Sequence, residues 1–215
     1  EPFVGTGDLY FFLNLDPSQV KSVLNDKDKE IATAFKIIKS NPNVDNIDRF
    51  KNKSVAEIQS FVKSSHSSPI DRLAKIIYKL CATFGSTGEG KIYKAPNIET
   101  KLRKMSKFAE YMKNTTILNG NWKSTFKYDS PKTFFYLDPP YEASKGLYKD
   151  PIINYKDLAD SLKKLKGKFI LSMNDSKEVR ELFKDFKISG ITAGGQGREG
   201  TIGGSTRKEL IIKNF

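Results

Sequence analysis

Thiol and imidazole are nearly absent from this chain, which has one cysteine, Cys81, and one histidine, His66, in 215 residues. A single thiol cannot close an internal disulfide, so nothing points to an oxidising compartment. One thiol and one imidazole cannot build a zinc site. No other metal-ligand spacing occurs, and no metal is expected. His66 lies in the polar stretch "SSHSSP" with no nucleophile motif beside it, which removes a Ser/His/Asp reading. Long apolar runs are missing too. None approaches the roughly 18 residues of a membrane span, and no membrane partner is expected. The opening "EPFVGTGDLYFF" has neither a basic leader nor a cleavage site, so the expected location is intracellular.

Positive charge is abundant. The formal net charge is +12, and residues 41–113 hold 14 Lys and Arg against 7 Asp and Glu. More than half of the excess therefore lies in one third of the chain. Such a balance favours a polyanionic partner, because each phosphate contact releases counterions. A lysine- and asparagine-biased composition would also give a solvated basic surface, so charge alone leaves the partner open.

The chain is long enough for one large domain or a domain carrying an insertion. "GDLYFFLN" reads as a short helix after a Gly-rich turn, "QVKSVLND" as a strand ending at Asn25-Asp26, and "KDKEIATAFKIIK" as a helix with Ile31, Ala34, Phe35 and Ile38 on one face. This rhythm predicts a mainly parallel sheet. It breaks from Asn41 to about Asn114, where helical patterns follow one another. "SVAE" at Ser54–Glu57 is a capping box. Ser68-Pro69 opens a helix over "IDRLAKIIYKLC", and "TFGSTGEGKIY" is a Gly-punctuated loop or hairpin. "IETKLRKMSKFAEYMKN" predicts a basic amphipathic helix with Leu102, Met105, Phe108, Ala109 and Met112 inward. The α/β rhythm then returns. "TTIL", "TFFYL" and "KFILSM" read as strands, "YKDLADSLKKLKG" and "DSKEVRELFKDF" as helices, and "KISGIT" and "KELIIKNF" as the last strands around "AGGQGREGTIGG".

Three features fall at strand ends of this predicted sheet. Gly5 and Gly7 make a turn that lets backbone approach a ligand, although a lone G-x-G is also an ordinary strand-to-helix turn. Asp26, 19 residues after Gly7, is placed to accept hydrogen bonds from ribose hydroxyls, and it also fits an acid-rich helix start. The third feature, Asp138-Pro139-Pro140-Tyr141, is far more specific. Neither proline has an N–H to donate, so the strand "TFFYL" must stop there in a rigid turn. That turn holds an acid and an aromatic ring at the end of the sheet where ligands bind in open α/β folds.

Over nearly the whole chain these residues resemble the Dam-type (D12 class, α-group) N6-adenine DNA methyltransferases. "EPFVGTGDLYFFLN" is similar to the family's first cofactor motif, "LNDKDKEI" to its acidic second motif, "NGNW" to its third and "FFYLDPPY" to its catalytic motif. The resemblance implies an α/β, Rossmann-like S-adenosylmethionine-dependent core over residues 1–40 and 98–215. A mostly helical target-recognition insertion is implied over 41–97. S-adenosylmethionine would be held by Phe3, Gly5, Gly7, Asp26, Asn121, Trp122 and Asp138. Asp138, Pro139, Pro140 and Tyr141 would be catalytic, gripping an adenine flipped out of double-stranded DNA. "KLCATFGSTGEGKIYKAP" resembles the hairpin by which family members contact DNA. Ser86, Thr87, Lys91, Tyr93 and Lys94 are expected there, and Arg198, Arg207 and Lys208 at the late glycine loop.

Two departures stand out. The family places a segment with a "GGK" lysine before its first motif, whereas this chain begins at Glu1 inside that motif. The expectations are that an N-terminal segment of a longer chain, or a second chain, completes the fold, or that this is a reduced, weakly active member. Asn121 also stands where family members often carry Asp. Two competing readings are a catalytically silent DNA-binding module on the same fold and a methyltransferase acting on another planar amine or amide, such as an RNA base or a protein glutamine. The protein-glutamine methyltransferases usually have Asn at the position of Asp138 and lack this helical insertion.

Overall fold

The computed structural model describes residues 1–83, 90–140, 153–193 and 207–215. They form two compact units, Val4–Asn121 and Glu1–Phe3 with Trp122–Phe215.

In the first unit, helix α1 (Asp8–Leu13) leads to strand β1 (Ser22–Asp26), and helix α2 (Lys29–Lys39) follows. Asp28 caps α2 by accepting from the Glu30 N–H at 2.7 Å, which satisfies one of the free donors of a helix start. Ile31, Phe35 and Ile38 recur at helical spacing and are buried. Helices α3 (Val55–Lys63), α4 (Pro69–Ala82) and α5 (Glu99–Lys107) carry the middle of the chain. The capping box is complete: Glu57 N–H donates to Ser54 Oγ at 3.2 Å and Ser54 N–H to Glu57 Oε2 at 2.8 Å. Pro69 opens α4, but Ser68 makes no side-chain cap bond, and Asp71 pairs with Arg49 at 2.5 Å. Leu24, Phe35, Ile58, Leu73, Tyr78 and Leu102 belong to one buried cluster. His66 packs its ring on Phe61 at 4.1 Å, a structural placement.

Strand β2 (Thr115–Asn119) pairs with β1 in parallel, Ser22 opposite Thr115 through Asp26 opposite Asn119. In the second unit, β3 (Phe134–Leu137), β4 (Lys168–Asn174), β5 (Lys187–Ala193) and β6 (Arg207–Lys213) make a sheet in the order β3-β4-β6-β5. The β3–β4 pair is parallel and β6 is antiparallel to both neighbours. Phe135, Leu137, Phe169, Leu171, Met173, Leu210 and Ile212 face a core shared with helices α6 (Tyr155–Leu162) and α7 (Lys177–Leu182). Each fully buried side chain of this size contributes about 1.5–3 kcal/mol.

Three expectations need correction. The strand-end features do not share one hydrogen-bonded sheet, because the described ladders form a two-stranded and a four-stranded sheet. Within the first unit the Val4 N–H donates to Asn25 C=O at 2.9 Å. The helix predicted through Met112 stops at Lys107 and continues as tighter turns, with Phe108 N–H bonded to Met105 C=O at 3.0 Å. Likewise α6 ends at Leu162, and a turn carries the chain past Leu165 to Gly167.

Candidate active site

The turn between Val4 and α1 is built on left-handed backbone. Gly5 has φ +51° and Gly7 φ +74°, which L side chains rarely adopt. A Cβ on Gly7 would lie 2.6 Å from the Phe35 ring, whereas one on Gly5 would meet nothing within 4 Å. Gly7 thus serves packing, and Gly5 leaves open space beside its backbone. The Gly5 N–H donates to Asp26 Oδ2 at 2.9 Å. The other carboxylate oxygen, Oδ1, accepts the Asp28 N–H at 2.9 Å. Burial pushes the Asp26 carboxyl above its ordinary range, and those N–H groups offset part of the effect. The strand end is further tied by Gly120 N–H to Asp26 C=O at 3.1 Å and by Asn119 Nδ2 to the same carbonyl at 2.9 Å. Buried Asn25 donates from Nδ2 to Gly120 C=O at 3.0 Å. The structure joins Gly5 to Asp26 directly, and Asn119, read from the sequence only as part of "NGNW", is the polar brace between the two strands. Asn121 is exposed at the end of this unit.

In the other unit, Phe3 and Trp122 pack with ring centroids 6.1 Å apart. Asp138 follows the last ladder residue of β3 and is exposed, while its neighbours Leu137 and Pro139 are buried. The carboxylate therefore projects from a rigid step. Tyr136, two residues back along the pleat, has its phenol pushed up to about 12 by burial, with the carboxylates of Asp138, Glu1 and Glu209 adding to the effect. Asp138 and Glu209 thus act on the same phenol, one from the turn after β3 and the other from β6. Alternation marks the faces of β3 and β6, but only the registers through β4 bring Tyr136 and Glu209 to the same end of the sheet.

Of the expected DNA-contacting residues, Lys91 and Tyr93 are exposed, and the Lys94 ammonium sits over the Tyr93 ring at 5.5 Å. Buried Ile92 anchors the segment, whose Tyr93 N–H donates to Ala82 C=O at 3.1 Å. Arg207 opens β6 opposite Ala193, and Lys208 is exposed. Tyr141, Ser86, Thr87 and Arg198 lie outside the described residues. Among the described residues no cluster of His, Cys, Asp and Glu could hold a metal ion, and no helix is long and apolar enough to cross a membrane.

The exposed Asp138 carboxylate stands at the carboxyl end of a parallel strand pair, the end at which ligands bind in open α/β sheets. The chain belongs to the D12 class N6 adenine-specific DNA methyltransferases, whose family model matches residues 1–193. It is 27% identical to the Type II methyltransferase M1.LlaDCHI of Lactococcus lactis subsp. cremoris over 247 aligned residues, covering 100% of this chain and 85% of that protein. It is 26% identical over 171 residues to the Type II methyltransferase M.MjaIII of Methanocaldococcus jannaschii, covering 66% of this chain and 57% of that protein. The enzyme is thus a DNA adenine-N6 methyltransferase, and membership implies S-adenosylmethionine as methyl donor.

Proposed function

We propose that this enzyme methylates adenine at one defined site in double-stranded DNA, with Asp138 and the Pro139 carbonyl as the groups that hold the target amine. The observation that carries this reading is the exposed Asp138 fixed between buried Leu137 and buried Pro139 at the end of β3. The exocyclic amine of adenine is a poor nucleophile, because its lone pair conjugates with the ring. A carboxylate and a carbonyl that accept its two N–H groups hold the nitrogen nearer to tetrahedral and free that lone pair. Orientation of this kind supplies up to roughly 7–11 kcal/mol in well-aligned cases. The nitrogen becomes cationic on alkylation, and the Asp138 carboxylate holds its extra proton by hydrogen bond until solvent removes it.

S-adenosylmethionine, when bound, supplies the methyl group as an activated electrophile. The open space beside Gly5 and the acceptor at Asp26 fit its carboxyamino and ribose ends, with Phe3, Asn121 and Trp122 as further contacts. Gly7 shapes the turn. The base leaves the duplex to reach Asp138, and Tyr141 stacks on it, a contact worth about 1–3 kcal/mol.

Residues 41–97 form the target-recognition part and the remainder the catalytic part. Lys91, Tyr93 and Lys94, with Ser86 and Thr87, meet the DNA, and Arg198, Arg207 and Lys208 meet its backbone. Two relatives carry the name Type II methyltransferase, and the activity of this enzyme would belong to a Type II restriction-modification system inside the cell.

The test is transfer of labelled methyl groups to unmethylated plasmid DNA by the full-length enzyme and by Asp138→Ala. The variant should lose transfer while keeping its fold and most of its DNA affinity. Near-normal turnover in that variant would remove Asp138 from the role.

A further inference from the structure

Helix α5 has one face that its ion pairs leave unused. Leu102 anchors the helix in the core, and Arg103 pairs with Glu99 and, at 2.9 Å, with Asp48. Lys101, Lys104 and Met105 recur at spacings of three and four, and Phe108 follows at seven, so they share one side. Both lysines are exposed and pair with no carboxylate among the described residues. Like charges one turn apart repel, and nothing on this face offsets them.

That side borders a cavity of about 590 Å³. Ala34 of α2, Leu80 of α4 and Phe11 of α1 also line it, all within the Val4–Asn121 unit. Phe11 packs on Phe35 at 5.7 Å and on Phe108 at 4.4 Å, so the lining includes a run of aromatic rings. Small-molecule sites typically enclose roughly 300–1,000 Å³, with a mostly apolar lining and a few polar groups. Thr6 and Asp8 are polar lining residues too, but Thr6 Oγ1 donates to Asp8 Oδ2 at 2.8 Å, so they serve each other. The lysines are left as the polar groups that call for a ligand, and they call for an anion. Among the described residues, Asp26, Asn119, Trp122 and Asp138 do not line this cavity.

We propose that the cavity is a binding site, separate from the cofactor and base positions, for a small amphipathic anion. Its chemistry is one acidic head on an apolar body. Lys101 and Lys104 take the head at the mouth, where an anion removes their mutual repulsion. Met105, Phe108, Phe11 and the apolar walls of α2 and α4 take the body. The inference is independent of the role given to Asp138, because no part of its test reads methyl transfer.

Decanoate below its micelle-forming concentration is the probe. Decyltrimethylammonium and decanol are its cationic and neutral counterparts. Calorimetric titration of the full-length enzyme should show one decanoate bound per chain, at least about tenfold tighter than either counterpart, the equivalent of one charge-assisted hydrogen bond. Octanoate should bind about tenfold more weakly than decanoate, since two fewer methylenes are buried. Lys101→Glu with Lys104→Glu should abolish the preference for the anion. Lys164→Glu with Lys166→Glu makes the same charge change in the other unit and should leave it intact. Ala34→Trp should block binding by filling the cavity, with the thermal midpoint as its control for folding. Cys81 is the one thiol, is half-buried and lines the cavity, so decanoate should slow its alkylation by iodoacetamide. Saturating S-adenosylmethionine should leave decanoate affinity within about twofold.

Absence of saturable one-to-one binding below about 1 mM overturns the inference. So does equal affinity for decyltrimethylammonium, or unchanged affinity in the Lys101→Glu, Lys104→Glu variant. Displacement of decanoate by S-adenosylmethionine would put the probe in the cofactor site and overturns the separation. An unreactive Cys81 with no decanoate bound would mean that a protein segment fills the cavity, which also overturns it. If Ala34→Trp fails to fold, the two lysine pairs decide the matter alone.

Discussion

The Gly5 N–H donates to Asp26 Oδ2 at 2.9 Å, tying the first turn of the chain to the end of β1 across 21 residues. Because Oδ1 of the same carboxylate accepts from Asp28 N–H, one side chain fixes the turn before α1 and the entry to α2. A carboxylate oxygen has a second lone pair, so this bracing leaves capacity for a ribose hydroxyl. Asp26→Asn would keep one acceptor and turn an amide NH2 toward the other backbone N–H. Leaving a partly buried donor unmet costs about 1–3 kcal/mol. The variant should unfold earlier in denaturant and bind S-adenosylmethionine at least about tenfold more weakly, the equivalent of one lost hydrogen bond to a charged group. Calorimetric titration showing unchanged affinity would refute the assignment of Asp26 to the cofactor.

The two glycines of that turn should fail in different ways. Gly7→Ala places a methyl group against the Phe35 ring at a left-handed position. The backbone term alone is about 1–2 kcal/mol, and the packing conflict adds to it, so Gly7→Ala should lower the unfolding midpoint strongly. Gly5→Ala carries the backbone term without a clash, because nothing lies within 4 Å of the new Cβ. It should remain folded but show a raised KM for S-adenosylmethionine as the methyl fills that space. Equal stability losses with equal KM values in the two variants would contradict the separation of packing from binding.

Much of this arrangement could be read from residue order. Two prolines after "TFFYL" required β3 to stop where it does, and Ser54 with Glu57 required a helix start, because each pattern acts through its own backbone. The single sheet was less legible. Ladder partners are set by which strands meet, and the alternation that marks β1 or β3 does not name a neighbour. The position of Asn174 in the sheet was hidden for a related reason. In "FILSMN" the polar residues at alternate positions look like a weak end to a buried strand, and only the register with β3 and β6 puts them beside Asp138.

Tyr136 offers a test by pH. Burial first, then the Asp138, Glu1 and Glu209 carboxylates, raise its phenol from about 10 to about 12. The folded chain therefore prefers the neutral phenol. The resulting stability is fully present below the unfolded value near 10 and is lost as pH rises through the folded value near 12. The phenolate absorbance of wild type minus that of Tyr136→Phe isolates this group from Tyr78, which is also raised to about 12. Repeating the subtraction in an Asp138→Asn background should move the midpoint down, since one facing charge is gone while burial persists. An unmoved midpoint would mean that the Asp138 carboxylate does not face Tyr136.

The basic segment at Lys91–Lys94 can be tested through salt. Ile92 is buried while Lys91 and Tyr93 are exposed, and the Lys94 ammonium lies over the Tyr93 ring. The alternation presents cations outward from an apolar anchor. Each phosphate neutralised by a lysine contributes about −0.9 to the slope of log affinity against log salt on duplex DNA. Lys91→Ala with Lys94→Ala should therefore reduce the steepness by about 2. If these lysines contact only phosphates, binding should weaken alike on site-containing and unrelated duplexes. If either lysine reads a base edge, the loss should be larger on the site-containing duplex. Filter binding of the full-length enzyme across a salt series decides between these outcomes. A slope equal to that of wild type would show that neither lysine meets the DNA.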